Sequence, residues 1–230
     1  MKKIHILTAA LVALGSIAAA PAQAASRYIT VNADGTIKVA PDAVRINGTV
    51  SIIGANSKDA LSTASSAMSK VRSALTSNGI ATKDLSTQSL TVYPEYNYTQ
   101  DKGSVLIGYR ASQSFIAIVR NAKNAGAVVD AAVAAGGDAL QVNGVTPFIS
   151  DASSATESAR AEAVKKAKAK AMSYAKLLGI KLGKVNFLTE NSAPSYMPIM
   201  AKATAADGST EVDLGQQDVT VSITIQWALA

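Results

Sequence analysis

The sequence predicts an α+β protein: a ferredoxin-like βαββαβ centre with an antiparallel sheet, then a third long helix and C-terminal strands. Two observations predict it. Between Val44 and Ile149, runs of period two and of helical period follow one another as strand, helix, strand, strand, helix, strand. Both helical runs end at glycines, Gly79 and Gly136-Gly137, which fits two split βαβ halves with both helices on one face of the sheet.

The opening run, "RYITVNADGTIKVAPDAVRINGTVSIIG", alternates β-branched and polar residues. It reads as two or three strands, with a turn expected at Asp34-Gly35 and a break at Pro41-Asp42. The next run places Ala60, Leu61, Ala64, Met68, Val71 and Leu75 at helical spacing, and Gly79 followed by Ile80 reads as its glycine cap. Two long alternating runs joined at Asp101-Lys102-Gly103 read as a β-hairpin. The helix "NAKNAGAVVDAAVAAGG" and the strand "ALQVNGVTPFI" complete the centre.

The third helix is expected to enter through a capping box, Ser154-x-x-Glu157, and to leave at Gly179. At about 100° per residue, Ala163, Val164, Ala167, Ala171, Tyr174, Ala175 and Leu178 fall within one arc, the expected buried face. Lys165, Lys166, Lys168, Lys170 and Lys176 spread over the remaining circumference and form no single stripe. With little aromatic or arginine support beside them, they read as a solvated face and not as a nucleic-acid reader. Only a weak electrostatic attraction to an acidic envelope surface fits them. Beyond the helix lie a strand, "KVNFLTE", an irregular segment from Asn191 to Gly208 and a last strand, "DVTVSITIQW".

The start of the chain, "MKKIHILTAALVALGSIAAAPAQA", has Lys2 and Lys3, an apolar run from Ile4 to Ala20 and a small-residue exit at Ala22-Gln23-Ala24. It reads as a signal peptide over residues 1–24, which makes the protein an exported one and points to the periplasm. Removing it lowers the formal net charge from +6 to +4, too little to imply a nucleic-acid partner. No later apolar run approaches membrane-spanning length.

The chain has no cysteine, and its single histidine, His5, lies in the leader. That removes disulfides, thiolate zinc sites, cysteine nucleophiles and Ser-His-Asp triads. Ser173 and Lys176 match S-x-x-K spacing, but the accompanying elements of that hydrolase class are missing and the serine is deep in a helix. Asp42, Glu95 and Asp138 are candidate acids that no spacing pairs. The glycine pairs close helices and open none, so no phosphate cradle is expected. No catalytic residue, cofactor site or metal site is therefore assigned, and the expectation is a protein without enzyme chemistry.

Two features remain as candidate contacts. Tyr93, Tyr96, Tyr98 and Tyr109 concentrate four of the seven tyrosines in one hairpin. They suit either a protein–protein surface or cross-strand pairs that stabilise the hairpin itself. Tyr196, Met197 and Met200 sit in the irregular segment. The two thioethers there suit partner packing or, as the alternative reading, a Cu(I) or small-ligand module.

The words "VAPDAV", "NGI", "DLSTQSLTVYPEYNY", "GYRAS", "VRN", "AGGD" and "AVKKAKAKAMSYAKLLG" with "LGKV", in that order and spacing, resemble the SIMPL-domain family of bacterial envelope proteins. The resemblance runs from about Tyr28 onward and implies one SIMPL-like domain over residues 25–230. Asn32-Ala33 departs from the further glycine that many members carry before Gly35. What the resemblance implies is a periplasmic protein without an established catalytic site, linked to oxidative-stress defence. Some relatives are antigens, and at least one forms a large hollow, channel-like homo-oligomer. The expected partner is the chain itself.

Overall fold

The computed structural model describes residues 27–191, 195–198 and 210–230; the expected leader and Met200 lie outside them. The elements run β1 (Tyr28–Val39), β2 (Ala43–Gly54), α1 (Ser57–Ser77), β3 (Leu85–Thr99), β4 (Gly103–Val119), α2 (Ala125–Gly136), β5 (Leu140–Phe148), α3 (Ser153–Leu177), β6 (Leu182–Glu190), β7 (Ser195–Pro198) and β8 (Gln217–Leu229). They form two four-stranded antiparallel sheets.

The central sheet has the order β3-β4-β2-β5, with α1 and α2 on one face. Counted from β2, this is the strand order 4-1-3-2 of a ferredoxin-like unit, as the sequence predicts. Its core joins Val44, Ile46 and Val50 of β2 to Phe115 and Val119 of β4 beneath Val71, Leu75 and Val128 of the helices. Asn56 caps α1 by accepting from the Asp59 N–H at 3.0 Å. Gly79 (φ 88°) closes it, and Ile80 N–H returns to the Leu75 carbonyl at 3.1 Å, the glycine cap expected from sequence.

The second sheet pairs the two ends of the described chain. β8 lies between β1 on one side and β6 followed by β7 on the other. Every second residue of β8, Val219 through Trp227, is buried; Val221, Ile223, Ile225 and Trp227 pack with Val31 beneath α3. The segment after residue 209 joins the sheets. Thr210 donates to Asp130 of α2, Val212 and Leu214 pack on the central core, and Gln217 Nε2 donates to the Pro147 carbonyl at 2.8 Å.

Four expectations are corrected. Asp34-Gly35 is not a turn: β1 runs straight through it, with Gly35 opposite Val221. The missing side chain is needed because a β-carbon there would stand 2.5 Å from the Ala163 backbone N and overlap the Ala159 carbonyl. The capping box does not form either. α3 starts at Ser153, two residues before a Ser154 cap would start it, Asp151 accepts from Ser153 N–H at 2.9 Å, and Ser154 already lies in the first turn.

The buried face of α3 is narrower than the predicted arc. Thr156, Ala159, Ala163, Ala167, Ala171 and Ala175 are buried, while Val164, Tyr174 and Leu178 are exposed. Alanine lets the helix axis come close to β1 and β8, and a helix that close covers only a narrow stripe. Finally, the segment expected to be irregular contains β7, held by pairing of Ser195–Pro198 with Gln217–Thr220.

Candidate functional site

The hairpin of β3 and β4 outgrows its sheet. β2 ends at Gly54, opposite Tyr109, so the hairpin from Glu95 to Gly108 continues as a two-stranded ribbon with no third strand. The turn falls at Asp101-Lys102-Gly103 as expected, with Gly103 at φ 66°. A single bulge between Glu95 and Tyr96, opposite the unpaired Ile107, marks where the ribbon leaves the sheet. The Glu95 carboxylate receives Arg110 Nε at 2.9 Å and Nη2 at 3.0 Å, while Arg110 Nη1 donates to Ser51 Oγ at 3.2 Å. These bonds hold Glu95 below the usual carboxylate range and tie the ribbon's base to β2.

The ribbon is apolar where it projects. Tyr96, Tyr98, Val105, Leu106 and Ile107 are exposed, Tyr98 at 77%; Leu90 and Val92 continue the face of Tyr96 and Tyr98 toward the sheet, and Tyr93 is exposed on the opposite face. Register places each tyrosine against its cross-strand neighbour. Tyr93 faces Arg110, Tyr96 faces Leu106 and Tyr98 faces Ser104, so none of these three is directly opposite another tyrosine. Tyr109 differs: it is half-buried and packs with Ala60, Ala64, Ala111 and Ile52 at the foot of α1. Its packing fixes the base of the ribbon, while the other three tyrosines form its outer surface.

The remaining sequence candidates are not brought together. Tyr196 and Met197 stand on β7 opposite Val219 and Asp218, far along the chain from the hairpin and in the other sheet, and Met200 is outside the described residues. Ser173 and Lys176 lie in the last turns of α3, away from any shared cleft with the acids. Asp42 is occupied as a clasp, accepting from Ser150 N–H at 2.7 Å and Ser150 Oγ at 2.6 Å, which lowers its pKa. Asp138 is exposed in the turn after α2. Among the described residues no group of three or more acidic, histidine or cysteine side chains could hold a metal ion, and no helix is long and apolar enough to cross a membrane.

The lysines of α3 are divided among separate tasks. Lys166 pairs with Glu162 at 2.9 Å, Glu162 also receives the Thr36 N–H at 2.8 Å, and Lys170 reaches the Asn32 carbonyl at 3.4 Å. Glu162 and Lys170 thus satisfy backbone groups on the outer edge of β1, protecting an edge strand. Sequence reasoning missed this role; the signal was Glu162 and Lys166 spaced i,i+4 on the flank next to the alanine face.

Residues 29–227 match the model of the SIMPL family, described as a protein of unknown function (DUF541). The 26 kDa periplasmic immunogenic protein of Brucella melitensis is 31% identical over 86% of this chain and 82% of its own length, and that of Brucella abortus gives the same figures. The uncharacterized protein YggE of Escherichia coli K12 is 29% identical over 88% of this chain and 84% of its own. None of these names carries an enzymatic activity.

Proposed function

The chain belongs to the SIMPL family and is a periplasmic protein, and from that premise we propose that it works by self-association, without enzyme chemistry, in the oxidative-stress defence of the cell envelope. The observation that carries the self-association is the projecting ribbon. Exposed Tyr96, Tyr98 and Leu106 share one face of a two-stranded element that no helix covers, and Val105 is exposed on the other face. Patches of this kind on soluble proteins mark association sites, and tyrosine is enriched at their centres.

The proposed contact is head-to-tail, the ribbon of one copy seated on a different surface of the next. Such contacts close into rings when the rotation permits. This is how the hollow assembly implied by the family resemblance would arise. The stress role rests on that resemblance, and the proposed link is that defence needs the assembled form.

The experiment is to express the chain with Tyr96→Ser and Tyr98→Ser in a deletion strain. The oligomeric mass and peroxide survival should fall together. A variant that loses mass yet restores full survival removes assembly from the stress role, and a variant of unchanged mass removes the ribbon from the interface.

A further inference from the structure

α3 covers its sheet unevenly. Its alanine face sits over β1 and β8, and Glu162 and Lys170 draw it toward the β1 edge. β6, on the far side of β8, is left without a helix above it. Register shows which of its side chains face α3: Val185 lies opposite Trp227 and Leu188 opposite Ile225, both of which are buried beneath the helix. Val185 and Leu188 are nonetheless 54% and 52% exposed.

The facing flank of α3 carries Arg160, Val164, Lys168 and Met172, one residue every four and hence one stripe along the helix. Between the stripe and β6 lies a groove of about 490 Å³ with Ile225 and Trp227 in its floor. Beyond Val164, Arg160 crosses from α3 to β6, its Nε 2.8 Å and Nη2 3.2 Å from the Glu190 carboxylate.

Two properties of the groove select its occupant. The lining is apolar apart from Lys168, its only charged side chain. Lys168 also makes no ion pair among the described residues, whereas its neighbours Arg160 and Lys166 both do. Lys168 is exposed at the rim, so its ammonium stays in water beside an apolar occupant, repels a cationic one and gains an ion pair with an anionic one. The volume is that of a small-molecule site, and Val164 to Met172 offers about 12 Å of helix along which an extended chain can lie.

We propose that this groove binds a single acyl chain with an anionic head group, in its simplest form a free fatty acid. The chain lies on Trp227, Ile225, Val185 and Leu188, and the carboxylate meets Lys168. This site is separate from the ribbon, so its failure and the failure of self-association are independent results.

Trp227 is the only tryptophan of the chain and therefore reports on the groove alone. Protein purified from the periplasm is titrated with bromine-tagged dodecanoate below its micelle concentration, and tryptophan quenching is read. Saturable quenching is expected, and untagged competitors from octanoate to dodecanoate should gain about fourfold in affinity per methylene. Lys168→Glu should weaken dodecanoate about fivefold and leave its methyl ester unchanged.

Val185→Asp with Leu188→Asp, at half-exposed positions that leave the core intact, should abolish the quenching while circular dichroism stays unchanged. Linear, unsaturable quenching, or quenching undiminished in the double variant, overturns the site. Equal binding of acid and ester in parent and Lys168→Glu overturns the anionic head group. A parent that does not bind dodecanoate and a double variant of reduced oligomeric mass would assign the groove to a second copy and overturn the proposal.

Discussion

Gly35 lies directly beneath Ala159: a β-carbon on the glycine would overlap the alanine's carbonyl oxygen and stand 2.5 Å from the Ala163 N. Strand backbone and helix backbone are in contact there with no side chain between them. The same device recurs in the central sheet, where a β-carbon on Gly54 would stand 2.5 Å from the Ala60 N of α1. In both places a glycine in a strand faces an alanine in a helix, and the clash would be with backbone that cannot rotate away.

Gly35→Ala should therefore destabilise the protein by about 2–4 kcal/mol, at or above the usual cost of overpacking. Chemical denaturation followed by circular dichroism measures it. A change within about 0.5 kcal/mol, the usual range for an inconsequential surface change, would mean that α3 does not sit as close as described.

Acid stability should depend on Asp84. This carboxylate is buried and receives Arg120 Nε and Nη2, each at 2.7 Å. The hydrogen bonds from Arg120 hold its pKa below the usual value, against the opposing effect of burial. A folded-state pKa below the unfolded one contributes stability that is fully present above the unfolded value and is lost as pH falls through the folded value. The denaturation midpoint should thus decline from about pH 4 downward. Asp84→Asn should lower the midpoint at neutral pH and flatten that decline; parallel curves for the two proteins would show that the pair contributes nothing.

Gln217 ties the two sheets at one point. Its buried side chain donates to the Pro147 carbonyl, which cannot be replaced by water without opening the seam. Gln217→Ala should cost about 1–2 kcal/mol. Amide exchange should rise in β5 and at the start of β8 and stay unchanged in α1, and a uniform rise would point to a global effect instead.

The central unit was legible because each of its elements carries its own punctuation. Gly79-Ile80, Gly136-Gly137 and Asp101-Lys102-Gly103 stop or turn the chain by local conformation, and local rules read local conformation. Gly35 misled for the same reason: next to Asp34 it has the look of a turn, while its actual constraint comes from a helix more than a hundred residues later. The arc of α3 was misjudged because periodicity gives the direction of the buried face but not its width. The width follows from how closely Ala163 and Ala167 let the helix approach.

The hairpin tyrosines were found as a cluster. Only register, which places Tyr96 opposite Leu106 and Tyr98 opposite Ser104, shows that they face outward without pairing to each other. The uncovered face of β6 left no mark in sequence, because period two sets Val185 and Leu188 on opposite faces and only the register shift between Val185 and Phe187 brings both to the side of α3.

Self-association through the ribbon is tested most directly by the absolute mass of the exported protein, measured by light scattering during size exclusion beside the Tyr96→Ser, Tyr98→Ser variant. The expected result is one large discrete species for the parent and a smaller one, with unchanged circular dichroism, for the variant. A parent that elutes as a monomer at every concentration would contradict it.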